Sequence, residues 1–236
     1  MVFNALGSLP VDNSKLKEMA TRDLACGSPP GDVAGYSDGS ALGNPGPCGG
    51  GFAVLVGGAL IEEQWMQLGH GDNNKGEIAA LRGLAHWLLA YFQSGKWPAG
   101  ADALIFSDSA GCVGYLERGW KTPTDQALSR ATRVALEALR AVVKVRIYWI
   151  RGHVDIPGNE LADKQARKGA DRAKKLLDER AAAQEARRQG GRRAPLDGTA
   201  PAHGAAATHT YLYVVRSVDV EALRGPRAAA ELAREV

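Results

Sequence analysis

The order in which the apolar residues change period constrains the fold of this chain more than any one motif. Val33–Ser40 reads as a short strand, and Leu42–Pro47 (LGNPGP) as a tight turn. Gly51–Gly57 (GFAVLVG) is a buried strand, and Ala59–Leu68 alternates as its hairpin partner. The spacing then switches to helical over Asn73–Phe92, with Ile78, Leu81, Leu84, Leu88 and Leu89 on one stripe. Leu104–Phe106 is a short apolar strand ending at Ser107-Asp108. Helices follow over Ala110–Leu116 and Gln126–Val142, then the β-branched and aromatic run Lys144–Ile150 (KVRIYWI). A last helix begins near Pro157, since proline suits the first helical position. Hairpin strands followed by strand–helix alternation predict an α/β domain: a five-stranded mixed sheet flanked by helices.

This pattern fills residues 33–170 and divides the chain. Residues 1–32 read as a leader or linker, because the prolines and glycines of Cys26–Asp32 (CGSPPGD) cannot sit inside a helix or central strand. Beyond Ala170 the helical pattern grows rich in Ala, Arg and Lys and loses its apolar stripe, so 171–236 is a charged helical extension. It leads into a Gly/Ala/Pro-rich linker at 190–207, a β-type run at 211–220 and a helical one at 220–236. Arg172, Lys174, Lys175, Arg180, Arg187, Arg188, Arg192 and Arg193 could form a nucleic-acid arm, but Asp171, Asp178, Glu179 and Glu185 interleave with them. A solvated helix is the better reading. No run nears the ~20 apolar residues needed to cross a bilayer. Cys26, Cys48 and Cys112 are scattered without metal-ligand spacing. Reduced thiols in the cytoplasm or nucleus, and not secretion, are the expectation. A net charge of +3 suits a polyanionic partner without demanding one.

Four carboxylates occupy informative places. Asp38 ends the first strand, Glu77 opens the first long helix, Asp108 ends the fourth strand and Asp163 lies early in the last helix. Open sheets gather ligands beyond the carboxyl ends of strands where strand order reverses, so Asp38 and Asp108 converge if their strands are neighbours. Glu77 and Asp163 can then close the ring. Any one of the four alone would be read as a turn or cap residue. Several carboxylates without a Cys or His cluster suit a hard cation such as Mg²⁺. Two such ions about 4 Å apart support phosphodiester hydrolysis.

The motifs Tyr36-Ser-Asp-Gly-Ser40, Gly43-Asn-Pro-Gly-Pro47, Asn73-Asn-Lys-Gly-Glu77, Ser107-Asp-Ser109 and Gly152-His-Val-Asp-Ile-Pro-Gly-Asn-Glu-Leu-Ala-Asp163 stand in this order. Together they resemble the type 1 ribonuclease H family over roughly residues 33–170. The resemblance implies the ribonuclease H-like fold and an endoribonuclease that cuts the RNA strand of RNA–DNA hybrids with two Mg²⁺ ions, Mn²⁺ being a substitute. It implies metal ligands at Asp38, Glu77, Asp108 and Asp163, and a proton-transfer or product-release role for His153. It implies hybrid contacts at Gly43, Asn44, Pro45, Asn74 and Asn159. The glycine turn permits the close backbone approach that reading ribose hydroxyls in a shallow minor groove requires. A monomer is expected, with a reverse transcriptase or another polymerase as a candidate partner.

Three departures qualify the likeness. Ala110 stands where the family often has an RNA-contacting Gln. Asp72 stands where some members place a small hydroxyl residue near a DNA phosphate, which a carboxylate would repel. The Glu117–Asp125 connection carries only Arg118 and Lys121 as bases, where many bacterial members have a long basic protrusion. That short connection and the wording of Ile156–Asp163 look more like retroelement-encoded domains. Two other readings stay open: a hybrid-binding or scaffolding module with weak turnover beside a polymerase, and a structure-selective DNA nuclease.

Overall fold

Each of the five β-type runs between residues 33 and 150 becomes a strand in a computed structural model, which describes residues 20–26, 31–121 and 125–191. The strands are β1 (Val33–Ala41), β2 (Gly46–Val56), β3 (Ala59–Gly71), β4 (Ala103–Ser107) and β5 (Val145–Trp149). The helices are α1 (20–26), α2 (Asn73–Gln93), α3 (Ala110–Arg118), α4 (Gln126–Arg140) and α5 (Pro157–Gly191). The strand and helix expected at 211–236, and nearly all of the 190–207 linker, lie outside the described residues.

The sheet order is β3-β2-β1-β4-β5. β1 runs antiparallel to β2 and parallel to β4, so the strand direction reverses beside β1. Ser37 is in register with Ser107, so Asp38, still within β1, lies beside Asp108, the first residue past β4.

Alternating side chains divide the core into two layers. Val33, Phe52, Val54, Ala103 and Ile105 point toward α2 and α4, meeting Leu81, Leu84, Leu88, Leu136 and Leu139. Ala34, Tyr36, Ala53, Leu55, Leu104 and Phe106 point the other way, meeting Ala25 of α1 and Ile156 and Ala162 around α5.

β2 starts at Gly46, five residues before the sequence predicts. Two features hid its beginning. Pro47 cannot donate to a ladder, and it is tolerated because the β2–β3 register shifts between Pro47 and Gly49 while its carbonyl still accepts from Leu42 N. The three glycines that follow have poor strand propensity but meet helix backbone on both faces. A Cβ at Gly49 would lie 2.2 Å from Ala170 N, one at Gly51 2.2 Å from Ala166 N, and one at Gly50 2.9 Å from Gly76 O. The opposing stripe on α5 is equally small: Ala162, Ala166, Ala170 and Ala173 are all fully buried.

α5 outruns this packing. Past Ala173 no described side chain is buried, and the charged residues 178–188 are exposed, as the fading apolar stripe predicts. At the other end, the segment read as a leader contributes α1, whose Ala25 is buried and whose Ala25 carbonyl accepts a 2.5 Å bond from Tyr36 OH. Among the described residues no helix is long and apolar enough to cross a membrane.

Candidate active site

Asp38 lies within β1, three residues before its end rather than at its end as the sequence suggests, almost fully buried, and its Oδ1 accepts from Gly39 N at 2.7 Å. Glu77 reaches it because α2 crosses β1 at Gly39. A Cβ there would lie 2.2 Å from Glu77 N, so only glycine lets the helix come this close. The start of α2 is fixed by two side chains. Asp72 is the N-cap and accepts from Lys75 N at 2.8 Å. That capping bond gives a structural reason for a carboxylate where the sequence comparison finds it out of place. Asn44 Oδ1 accepts from Asn73 N at 3.1 Å, tying the β1–β2 turn to the same helix start.

Asp108 follows β4 and is held from three sides. Ser107 Oγ accepts from Ser109 N, and Ser109 in turn caps α3 by accepting from Cys112 N. Trp149 Nε1 donates to the Asp108 carbonyl at 3.0 Å. Asn159 Nδ2 approaches Asp108 Oδ2 at 3.4 Å. None of Trp149, Ser107 and Ser109 carries a sequence signal of this task beyond its place beside a strand end.

Asp38, Glu77 and Asp108 each present a carboxylate oxygen within 4.8 Å of the others. Burial, and then the Asp108 charge, push the Asp38 pKa up to about 7. Burial also drives Glu77 well above the usual carboxylate range, with the Asp38 and Asp108 charges adding to it. Asp108 is raised by burial, while the Asn159 amide bond pulls it back. Glu77 Oε2 is buried and has no hydrogen-bond partner. Three crowded carboxylates that resist ionisation, one with an orphaned oxygen, fit a hard divalent cation, whose charge relieves both penalties.

The other expected residues fall into place around this trio. Asp163 is outside it: an ion pair with Arg167 at 2.8 Å, one helical turn on, engages its carboxylate. Its charge still contributes to raising both Asp38 and Asp108. His153 is exposed in the β5–α5 loop at φ 55°, near enough for its charge to lower Asp108. Gly43, at φ 73°, Asn44 and Pro45 form an exposed turn, and Asn74 is exposed on the first turn of α2. Asn159 differs from the expectation of a substrate contact. It is 3% exposed, because the first turn of α5 packs against the Tyr36 ring of β1, and its amide serves Asp108.

The RNase H family model matches residues 30–171. The ribonuclease H of Rhizobium johnstonii is 34% identical over 149 residues, covering 59% of this chain and 92% of that protein. The ribonuclease H of Cupriavidus metallidurans is 35% identical over 145 residues, covering 58% of this chain and 94% of that protein. The ribonuclease HI of Pseudomonas syringae pv. tomato is 33% identical over 148 residues, covering 58% and 90%. Among solved structures, the N-terminal RNase H domain of a Mycobacterium tuberculosis protein, fused to maltose-binding protein, matches in fold. Its TM-score is 0.51 at 23% identity, covering 62% of this chain and 98% of that one. With more than half of its length matched by the family model, and with relatives that it spans almost end to end, this chain belongs to the type 1 RNase H family of enzymes.

Proposed function

We propose that the chain hydrolyses the RNA strand of RNA–DNA hybrids, with divalent cations held by Asp38, Glu77 and Asp108 and with Asp163 completing the set. The three-carboxylate cluster, with Asp38 buried and Glu77 and Asp108 half-buried, at the point where strand order reverses is the observation that carries this reading. Two Mg²⁺ ions, or Mn²⁺ in their place, would supply an activated water and positive charge against the leaving oxygen. The protein's own part is to hold the carboxylates converged before any cation arrives, since helix packing at Gly39 and the Trp149 bond fix two of their backbones. The exposed Gly43–Pro45 turn and Asn74 offer a surface for the ribose hydroxyls of one strand and the backbone of the other. Freeing Asp163 for a cation would require its pair with Arg167 to open, and that pair is exposed on the arginine side.

The deciding test is a gel with labelled hybrid, duplex RNA and duplex DNA, each in Mg²⁺ and in chelator. The expected result is cleavage of the RNA strand of the hybrid in Mg²⁺ alone. Equal cutting of duplex RNA, or any cutting of duplex DNA, sinks the assignment.

His153 has a separate test. Its exposure on a loop within the field of Asp108 supports the reading that it moves a proton or helps product leave. His153→Ala should lower kcat roughly 100-fold with residual activity, because the carboxylates and their ions remain. An unchanged kcat in steady-state kinetics would reduce His153 to a surface residue.

A further inference from the structure

The β5–α5 loop is held in a conformation its own residues do not favour. His153 and Asp155 both take left-handed backbone, at φ 55° and 56°, and neither is glycine. Such residues persist only where the surroundings over-determine them. Val154 lies between the two, and its carbonyl accepts a 3.2 Å bond from Arg22 Nη2. Arg22 belongs to α1, which precedes the 30–171 stretch matched by the family model.

α1 is attached to the core rather than laid over it. Its buried Ala25 and partly buried Leu24 pack in one apolar cluster with Ile150, Val154 and Ile156 from both ends of the loop. Tyr36 OH anchors the last turn of α1 through the Ala25 carbonyl. Two residues before Asp38, the Tyr36 ring stacks on Phe106, two residues before Asp108, at 5.0 Å between centroids. The same aromatic pair therefore underlies the carboxylates and seats the helix.

A Cβ at Gly152 would lie 2.6 Å from Asp108 Oδ2, so this loop runs against the cluster. From these contacts we infer that α1 is a brace for the His153 loop, and that Arg22 is a positioning residue for turnover, acting through Val154 to hold His153 on the loop that lies against Asp108. The inference rests on the role of His153 proposed above. Arg22 touches neither carboxylate nor substrate surface in these contacts, so its removal should alter rate and leave binding alone. The Arg22 guanidinium is exposed, so its loss should not unfold the chain.

The experiment is a double-mutant cycle in the full-length chain, read by steady-state cleavage of hybrid and by amide hydrogen exchange without metal. Losing one bond of ordinary strength, Arg22→Ala should lower kcat about five-fold at unchanged KM and speed exchange at 151–156 by a similar factor. Arg22→Lys, which can still donate to the Val154 carbonyl, should recover most of both effects. In the His153→Ala background, Arg22→Ala should change kcat no further, because the two residues act through one step. An unchanged or increased kcat for Arg22→Ala, or an equal five-fold loss without His153, overturns the brace. If the unaltered chain fails to cut hybrid, the nuclease reading falls first, and exchange at 151–156 still decides whether α1 holds the loop.

Discussion

Gly51→Ala should be among the most destabilising single-methyl changes available in this domain. The new Cβ would lie 2.2 Å from Ala166 N and 2.5 Å from the Ala162 carbonyl oxygen. Both are helix backbone, so no side chain can rotate out of the way and α5 must shift as a body. The shift would spread along the stripe Ala162, Ala166, Ala170 and Ala173, whose packing depends on the same close approach. Overpacking of well-filled cores costs about 1–3 kcal/mol, and backbone on the far side puts this site at or above the top of that range. At roughly 2–4 °C per kcal/mol for a chain of this size, a melting temperature lower by about 10 °C follows. Gly111→Ala is the matched control. It adds the same methyl at an exposed position of α3, where the nearest atom is Ser109 Oγ at 4.0 Å. Relief of glycine's backbone entropy should stabilise that variant by about 0.5–1 kcal/mol. Thermal melts in chelator compare the two. If Gly51→Ala melts with the unaltered protein, α5 does not lie on β2 as described.

That contrast also marks where the sequence can be read and where it cannot. The strands β1, β4 and β5 and the helix α2 are legible because each has one dominant period and ends on a residue with a local reason to stop or turn. The beginning of β2 is not, since the Gly49–Gly51 run has no side chains to show a period. Its logic exists only once two helices are seen to cross it. α1 is illegible for a related reason: seven residues make too short a stripe, and the contacts that hold it, to Tyr36 and Val154, are far along the chain or in a loop.

The site divides the same way. Asp38, Glu77 and Asp108 are singled out by the sequence pattern, and the structure gathers those three, although Asp38 lies within β1 and not at its end. Asp163 is equally legible as a position, but its ion pair with Arg167 depends on side-chain geometry and not on the motif. Asn159 reads as a hybrid contact beside the last ligand, and only the packing of the first turn of α5 against the Tyr36 ring turns it inward onto Asp108. The Trp149 bond to the Asp108 carbonyl is of the same kind, a contact made by strand neighbours that no spacing encodes.

The largest catalytic effect expected is that of Asp38→Asn, which keeps the shape of the side chain and removes its charge. Cleavage of hybrid should fall roughly 1,000-fold or more, because the cation loses its most buried carboxylate. Stability should move the opposite way. Folding raises the Asp38 pKa from 3.8 to about 7, so between those values the folded protein holds a proton that the unfolded chain has released. Stability contributed by the protonated form is therefore full below about pH 4 and is lost as pH rises through 7. Asn does not titrate and keeps the acceptor that Gly39 N uses, so the variant avoids this loss. In chelator at pH 8 it should melt higher than the unaltered protein, by on the order of 5 °C, and the gap should close as the pH is lowered toward 4. Mg²⁺ should raise the melting temperature of the unaltered protein and do less for the variant, since there is less repulsion left to relieve. Melts of both proteins at pH 5 and pH 8, with Mg²⁺ and with chelator, measure every term. If Asp38→Asn melts lower in chelator at pH 8 and gains as much from Mg²⁺, Asp38 holds a turn and the cation belongs elsewhere.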